Sequence, residues 1–292
     1  MAGKSNIEWC TDSWNPIVGC TIVSPGCTNC YAMKMAARIE RMMADRATHT
    51  GKTTHYEGTT KIVNGNAVWT GVLKQAPDHI LTAPLRWKKP RKIFVNSMGD
   101  LFHESVPDEW IDKVFAVMAL CPQHTFQCLT KRSKRMREYM THGGPSLQDM
   151  AMVPQVGKSV MTANTDWPLP NVWLGVSAED QARADERIPD LLATPAAVRF
   201  VSAEPLLSAI DFVQFQTPDF TTWFDGLSWV IVGGESGPSF RPMQIEWAES
   251  IRQQCEAAGT AFFFKQVSGP RSGMRGNASE SLWGCKQFPE QK

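Results

Sequence analysis

Short apolar runs alternate with amphipathic segments along most of the chain. Six runs rich in Val, Ile, Phe and Trp predict strands at 92–98, 125–131, 171–179, 198–207, 229–237 and 260–267. Apolar positions at helical spacing predict helices at 107–120, from about 133, at 180–193 and at 245–259. The strand runs are mostly continuous rather than alternating, which is typical of strands buried on both faces of a parallel sheet.

This order of elements predicts an α/β protein. We expect a single domain over residues 1–292, built as a partial (β/α)6-type TIM barrel with loop insertions. Three segments break the alternation and are predicted as insertions, at about 48–91, 141–170 and 208–228. Within the first of them, Asn64-Gly65 between two apolar runs predicts a hairpin with a type I′ turn.

Polar residues gather where the predicted strands end. They are Asn96, Ser97, Asp100, Lys131, Glu179, Glu204, Glu235, Lys265 and Gln266. In a barrel the carboxyl ends of the strands meet at one mouth, which is the usual place for an active site. We therefore take Lys131, Glu204, Glu235 and Lys265 as candidate catalytic residues. The alternative for each is a strand end that returns to solvent.

Charge and composition exclude several classes. The chain has 292 residues and a formal net charge of +1, so that any nucleic-acid site must be a local patch. The amino-terminal sequence has no apolar signal region, and no apolar run reaches the length of a membrane span. We expect a cytoplasmic protein with reduced thiols and no membrane partner.

Two basic clusters are the candidates for such a patch. They read RWKKPRK at 86–92 and TKRSKRMR at 130–137, and each borders a predicted strand. Basic clusters of this kind bind phosphates, and a solvated helix face is the alternative. The predicted phosphate contacts are Arg86, Lys88, Lys89, Lys131, Arg132 and Lys134.

Three cysteines lie within the segment GCTIVSPGCTNCYA, at Cys20, Cys27 and Cys30. A zinc site needs four ligands, and Cys10 is the nearest further thiol. Simple burial is disfavoured because the Gly, Pro and Asn around the cysteines are typical of a loop. An iron–sulfur cluster bound by three thiolates would leave one iron open to another ligand. No ligand is expected among Cys121, Cys128, Cys255 and Cys285.

The cysteine segment resembles the cluster loop of the radical S-adenosylmethionine (SAM) superfamily. That superfamily spaces its cysteines by three residues and then two, whereas six and then two separate them here. The resemblance implies that Cys20, Cys27 and Cys30 bind a [4Fe-4S] cluster whose fourth iron binds SAM. Met98-Gly99-Asp100 is similar to the Gly-Gly-Glu-like segment that binds the amino group of SAM. Further cofactor contacts are expected from Ser177, Glu179, Gly233 and Gly234.

Nearly the whole chain resembles a phage-associated family of three-cysteine proteins. The segments that carry this are WNPIVGCTIVSPGCTNCYA, IFVNSMGDLFHESVP, FQCLTKR, WLGVSAE, RFVSAEPLL, VIVGGESGP and FFKQ. The resemblance implies a radical SAM enzyme in the host cytoplasm, served by an electron donor such as flavodoxin. Its expected substrate is a modified pyrimidine in DNA, reached by base flipping or in a single strand. The alternatives are a small-molecule or tRNA substrate, or a non-catalytic zinc-stabilised binding protein.

Overall fold

The computed structural model describes residues 2–50, 54–142, 167–213 and 222–290. The chain divides into two compact units. The first unit comprises residues 1–128 and 142–171, and the second comprises 129–141 and 172–292. Both contain helices and parallel strands, which confirms the α/β class. The expected single domain stays a prediction.

The described residues form twelve strands and seven α-helices. The strands are β1 Ala2–Lys4, β2 Asp12–Trp14, β3 Ile17–Val18, β4 Thr60–Val63, β5 Asn66–Trp69, β6 Lys74–Gln75, β7 Lys92–Val95, β8 Thr125–Thr130, β9 Val172–Ser177, β10 Val198–Ala203, β11 Trp229–Gly233 and β12 Ala261–Gln266. The helices are α1 Tyr31–Thr50, α2 Asp78–Leu81, α3 Asp108–Ala119, α4 Ser133–Thr141, α5 Gln181–Leu192, α6 Ile245–Ala258 and α7 Glu280–Trp283.

In the first unit the strands lie in the order β1, β2, β7, β8. Strand β1 is antiparallel to β2, and the other neighbours run parallel. Strand β2 is buried although it contains Asp12, because Arg91 forms an ion pair with that carboxylate at 2.6 Å. Trp14 on the same strand packs against Phe126 of β8. The packing of Trp14 therefore positions the carboxyl end of β2, from which the chain continues to the cysteine loop.

The hairpin predicted in the first insertion is confirmed. Strands β4 and β5 pair antiparallel around Asn64 and Gly65, which have φ values of 48° and 76°. Positive φ at both central residues is the signature of a type I′ turn. Ala67 and Val68 on this hairpin pack against an apolar cluster that also contains residues of α1. The hairpin therefore covers the helix that follows the cysteines.

In the second unit β9, β10, β11 and β12 are all parallel and adjacent in that order. Every residue of β9 and β11 is buried, as the continuous apolar runs predicted. Helix α6 ends at Gly259, which adopts a left-handed φ of 68°. That C-cap was predicted from the sequence, and it turns the chain directly into β12.

Two of the predicted insertions are described only in part. Residues 143–166 and 214–221 lie outside the described residues. Among the residues that are described, no helix is both long enough and apolar enough to cross a bilayer.

Candidate functional site

The cysteine loop begins where β3 ends. Gly19 has a φ of 94°, and a Cβ on it would lie 2.2 Å from the carbonyl oxygen of Val72. Only glycine fits this conformation and this close approach. A 3-10 turn over Pro25–Cys27 follows, and α1 begins at Tyr31, directly after Cys30. The three cysteines are thus carried by one compact loop between a strand and a helix.

All three thiols of this loop are partly exposed. Cys20 and Cys30 pack against the same apolar cluster, which includes Met33 and Met98. The Cys27 Sγ lies 3.8 Å from the Ser24 hydroxyl. Within the described part of the chain, no group of three or more His, Cys, Asp or Glu side chains is gathered closely enough to hold a metal ion. The loop carries three thiols that could bind a metal, but in this structure they do not lie close enough together to chelate one.

Four of the other cysteines, Cys10, Cys121, Cys128 and Cys255, are buried. Burial raises the pKa of Cys121 and of Cys255 to about 12, and it raises the pKa of Cys128 as well. Cys10 is buried, and its thiol donates to the Ile7 carbonyl at 3.6 Å. A thiol with a raised pKa stays protonated at neutral pH, whereas iron and zinc bind the thiolate.

The Met98-Gly99-Asp100 segment lies directly against the start of the cysteine loop. The Gly19 amide donates to the Met98 carbonyl at 3.2 Å, and Gly19 and Gly99 form a parallel bridge. A Cβ on Gly99 would lie 3.0 Å from the carbonyl oxygens of both Gly19 and Ile17. The glycine therefore allows the two segments to touch. Two motifs that are separated by about eighty residues in the sequence meet here.

Polar side chains stabilise the contact between the cysteine loop and the Met98-Gly99-Asp100 segment. The Asn15 side chain accepts hydrogen bonds from the Met98 amide at 2.8 Å and the Ser97 hydroxyl at 3.1 Å. Thr21 and the buried His103 ring are joined by a hydrogen bond of 2.9 Å. The Ser105 amide donates to Nδ1 of His103 at 3.1 Å, which leaves Nε2 as the protonated nitrogen facing Thr21. Sequence reasoning missed Asn15 and His103, since neither stands in a spacing that suggests chemistry.

Asp100 is nearly buried beside this contact. Its side chain is 5% exposed, and Oδ1 accepts the amide of Phe102 at 3.1 Å. That bond fixes the orientation of the carboxyl group. Asp100 directly follows Gly99, which contacts the cysteine loop, and its predicted contact with SAM stays a prediction.

In the second unit, Glu179 lies at the end of β9 in a buried ion pair. Its carboxylate is 3.1 Å from the Arg187 guanidinium of α5, and the two side chains are 0% and 2% exposed. Arg187 also donates to the Ser177 carbonyl at 2.8 Å. Both Ser177 and Glu179 are therefore enclosed by protein. Their predicted contact with SAM stays a prediction.

Glu235 follows β11 and is bound by Arg241. The guanidinium binds both carboxylate oxygens, and the backbone amide of Arg241 donates to Oε2 at 2.8 Å. The hydrogen bond to Glu235 raises the pKa of Arg241. Next to it, the Gln266 side chain donates to the Gly234 carbonyl at 2.9 Å. These hydrogen bonds hold the loop after β11, and the predicted catalytic role of Glu235 stays a prediction.

Glu204 and Lys265 form the third pair at these strand ends. Lys265 Nζ lies 2.9 Å from Glu204 Oε1, and the Ser202 hydroxyl donates to Oε2 at 3.3 Å. The side chains of Lys265 and Glu204 are 19% and 15% exposed. Of the four predicted catalytic residues, the structure brings these two together. Lys131, the fourth candidate, follows β8 and is half-buried.

The predicted phosphate contacts fall into three groups. Lys88 and Lys89 are exposed. Arg86 is exposed but donates to Thr82 Oγ1 at 3.1 Å, and Lys134 lies 3.9 Å from Glu138. Arg132 is 5% exposed, so it cannot reach a phosphate, and this part of the prediction was wrong. Arg132 directly precedes α4.

The described residues define a mixed α/β protein with polar clusters at the carboxyl ends of its parallel strands. The chain belongs to the family described as a protein of unknown function, DUF5131, whose family model matches residues 4–282. A comparison with curated proteins finds no match, and a comparison with solved structures finds none either. The family match covers the cysteine loop, the Met98-Gly99-Asp100 segment and all the strand-end residues.

Proposed function

We propose that the chain is a radical SAM enzyme. In this proposal Cys20, Cys27 and Cys30 bind a [4Fe-4S] cluster, and Met98-Gly99-Asp100 binds the methionine end of SAM. The observation that carries the proposal is the contact between the two segments, through the Gly19–Gly99 bridge and the bond from the Gly19 amide to the Met98 carbonyl. A cofactor bound to the loop would lie beside Asp100.

The donor set of the cysteine loop fits such a cluster. Three partly exposed thiols on one loop suit iron, since thiolates are its usual ligands in clusters, and three leave one iron open. When bound, the cluster and SAM would supply a one-electron cleavage that yields methionine and a 5′-deoxyadenosyl radical. The chain would supply the rest. Asp100 offers a carboxylate to an ammonium group, and an apolar cluster that includes Met98 and Met33 packs against Cys20 and Cys30.

A partial (β/α)6 TIM-type barrel is part of the same proposal. Its support is the strand order in the second unit, where β9, β10, β11 and β12 are adjacent in sequence order. A doubly wound sheet reverses its strand order at a switch point, whereas a barrel does not.

The proposed substrate is a modified pyrimidine in DNA. Support comes from the exposure of Lys88 and Lys89, two cations that precede β7 and so lie at the end of that strand opposite to Met98-Gly99-Asp100. The formal net charge of +1 limits any such contact to a local patch. A small molecule or tRNA is the alternative substrate, and a zinc-stabilised binding protein is the alternative class.

Anaerobic reconstitution with iron and sulfide tests the proposal. We expect a brown protein that releases 5′-deoxyadenosine from SAM when reduced. Cys20→Ala, Cys27→Ala and Cys30→Ala should each lose bound iron and this activity. Cys10→Ala is the matched control and should keep both, because its thiol is buried and donates to the Ile7 carbonyl. A colourless zinc protein, or loss of metal in Cys10→Ala alone, would contradict the proposal.

A further inference from the structure

Glu204 and Lys265 reach toward each other across a strand that lies between them. Glu204 follows β10, Lys265 belongs to β12, and β11 pairs with both. Gly233 at the end of β11 makes this possible, because a Cβ there would lie 2.4 Å from Glu204 Oε1. Any other residue at Gly233 would displace the carboxylate. The Glu204 side chain therefore packs against the backbone of Gly233 in β11.

A β-bulge in β12 sets the direction of the Lys265 side chain. The register between β11 and β12 shifts at Val232 and Gly233, where Val232 pairs with Phe264 and Gly233 pairs with Gln266. Lys265 is the extra residue of this β-bulge. Bulges are common beside active sites, where they redirect a side chain. Gly233 in β11 and the bulge in β12 thus both allow the ion pair between Glu204 and Lys265 to form.

The Glu204–Lys265 pair is partly exposed, and so is the neighbouring Glu235–Arg241 pair, but Glu235 is already bound through both carboxylate oxygens by the side chain and the backbone amide of Arg241. The Glu179 and Arg187 side chains are 0% and 2% exposed and pair with each other. Glu256, which pairs with Arg252 on α6, is 72% exposed, so that water screens it. Glu204 and Lys265 are mostly shielded, yet part of each side chain remains open to solvent. Charges in such surroundings interact strongly with a ligand, and leaving either one unpaired is costly.

We propose that Glu204 and Lys265 form a binding site for a zwitterionic α-amino-acid group. Glu204 receives the ammonium of the ligand, and Lys265 receives its carboxylate. A simple anion would pair with Lys265 but leave Glu204 facing it without a cation, and a simple cation would do the reverse. A group that carries both charges replaces one ion pair by two. This inference rests on the proposed function, which gives the methionine end of SAM to Met98-Gly99-Asp100, so the group bound by Glu204 and Lys265 is an amino-acid group of the substrate.

Calorimetric titration of the purified full-length chain tests this site. The probes are glycine, acetate, methylamine and SAM. We expect glycine to bind at least about tenfold more tightly than acetate or methylamine, since each of the latter leaves one charge unpaired. Lys265→Met and Glu204→Gln should each weaken glycine binding about ten- to a hundredfold. Gly233→Ala should do the same by displacing the Glu204 carboxylate.

Two controls keep the result interpretable. Glu256→Gln removes an exposed acid of the same unit and should leave glycine binding unchanged. Lys265→Arg keeps the positive charge and should retain most of the affinity, which separates loss of the site from loss of the fold. Equal binding of acetate and glycine would overturn the proposal, as would unchanged glycine binding in Lys265→Met.

SAM identifies the source of the group. If SAM competes with glycine and loses affinity in Lys265→Met, the site binds the methionine end of SAM, which would overturn both the substrate assignment and the assignment of that end of SAM to Met98-Gly99-Asp100. If SAM and glycine bind together, and Lys265→Met affects glycine alone, the site receives an amino-acid group of the substrate. Glycine binding is measured without cluster or SAM cleavage, so failure here is distinguishable from failure of the proposed radical SAM activity.

Discussion

Asp100 carries the most specific prediction at the scale of single residues. Its carboxyl group is nearly buried and accepts the Phe102 amide, so replacement by alanine would disturb the backbone as well as the charge. Asp100→Asn keeps an acceptor for that amide and removes only the charge. We expect SAM affinity of the reconstituted protein to fall about ten- to a hundredfold, because a charge-assisted contact is lost. Equilibrium dialysis with labelled SAM measures this.

The Asp100→Asn protein should retain its iron and its unfolding midpoint in urea. Unchanged SAM affinity would remove Asp100 from the proposed site. A loss of iron together with SAM would instead indicate that Asp100 supports the cysteine loop.

Single residues also mark the limit of sequence reasoning at this site. The cysteines and the Met98-Gly99-Asp100 motif stand out because their residue types and spacing suggest chemistry. Asn15 and His103 act through tertiary hydrogen bonds, to Met98 and to Thr21 respectively. A lone Asn or His has no local signal for such a role. Their positions follow from the packing of the loops, which no short window of sequence contains.

At the scale of elements, the buried ion pair between Glu179 and Arg187 ties α5 to the end of β9. Glu179→Gln would leave the Arg187 guanidinium buried without its counter-charge. We expect the free energy of unfolding to fall by about 3–5 kcal/mol, the usual cost of breaking a buried pair from one side. Urea denaturation followed by tryptophan fluorescence measures this change.

The matched control is Glu256→Gln in the exposed pair with Arg252, where the loss should be at most about 1 kcal/mol. Similar losses in the two variants would show that the Glu179 pair contributes no more than a surface contact. In that case β9 and α5 would be joined by apolar packing alone.

The elements differ in how far their sequences predict them. The six long strands carry continuous apolar runs, and all six were predicted within a few residues of their observed bounds. Strands β1 and β2 were missed because each has only three residues. Strand β2 also begins with the charged residue Asp12, whose burial depends on an ion pair with Arg91 from a distant segment. A short strand that is stabilised by a distant partner leaves no periodic signal.

For the whole molecule, charge limits what kind of partner can bind. The formal net charge of +1 gives no long-range attraction to DNA, so that affinity must come from a few local cations. Both basic clusters were visible in the sequence, but their geometry was not. Arg132 is buried, and Arg91 is occupied by Asp12 at 2.6 Å. Lys88 and Lys89 remain as exposed members of the first cluster.

DNA binding through Lys88 and Lys89 has a direct signature in its salt dependence. Each phosphate contact contributes about 0.9 to the slope of log affinity against log salt on duplex DNA. The double variant Lys88→Gln/Lys89→Gln should therefore flatten the slope by about 1.8 if each lysine binds one phosphate. Fluorescence anisotropy with a labelled duplex, titrated at several salt concentrations, gives the slope. The control is Lys61→Gln/Lys74→Gln, which removes two exposed lysines outside the basic cluster and lowers the net charge equally. An equal effect of both double variants would mean that only overall charge matters, and no salt-dependent affinity in the wild-type chain would favour the small-molecule alternative.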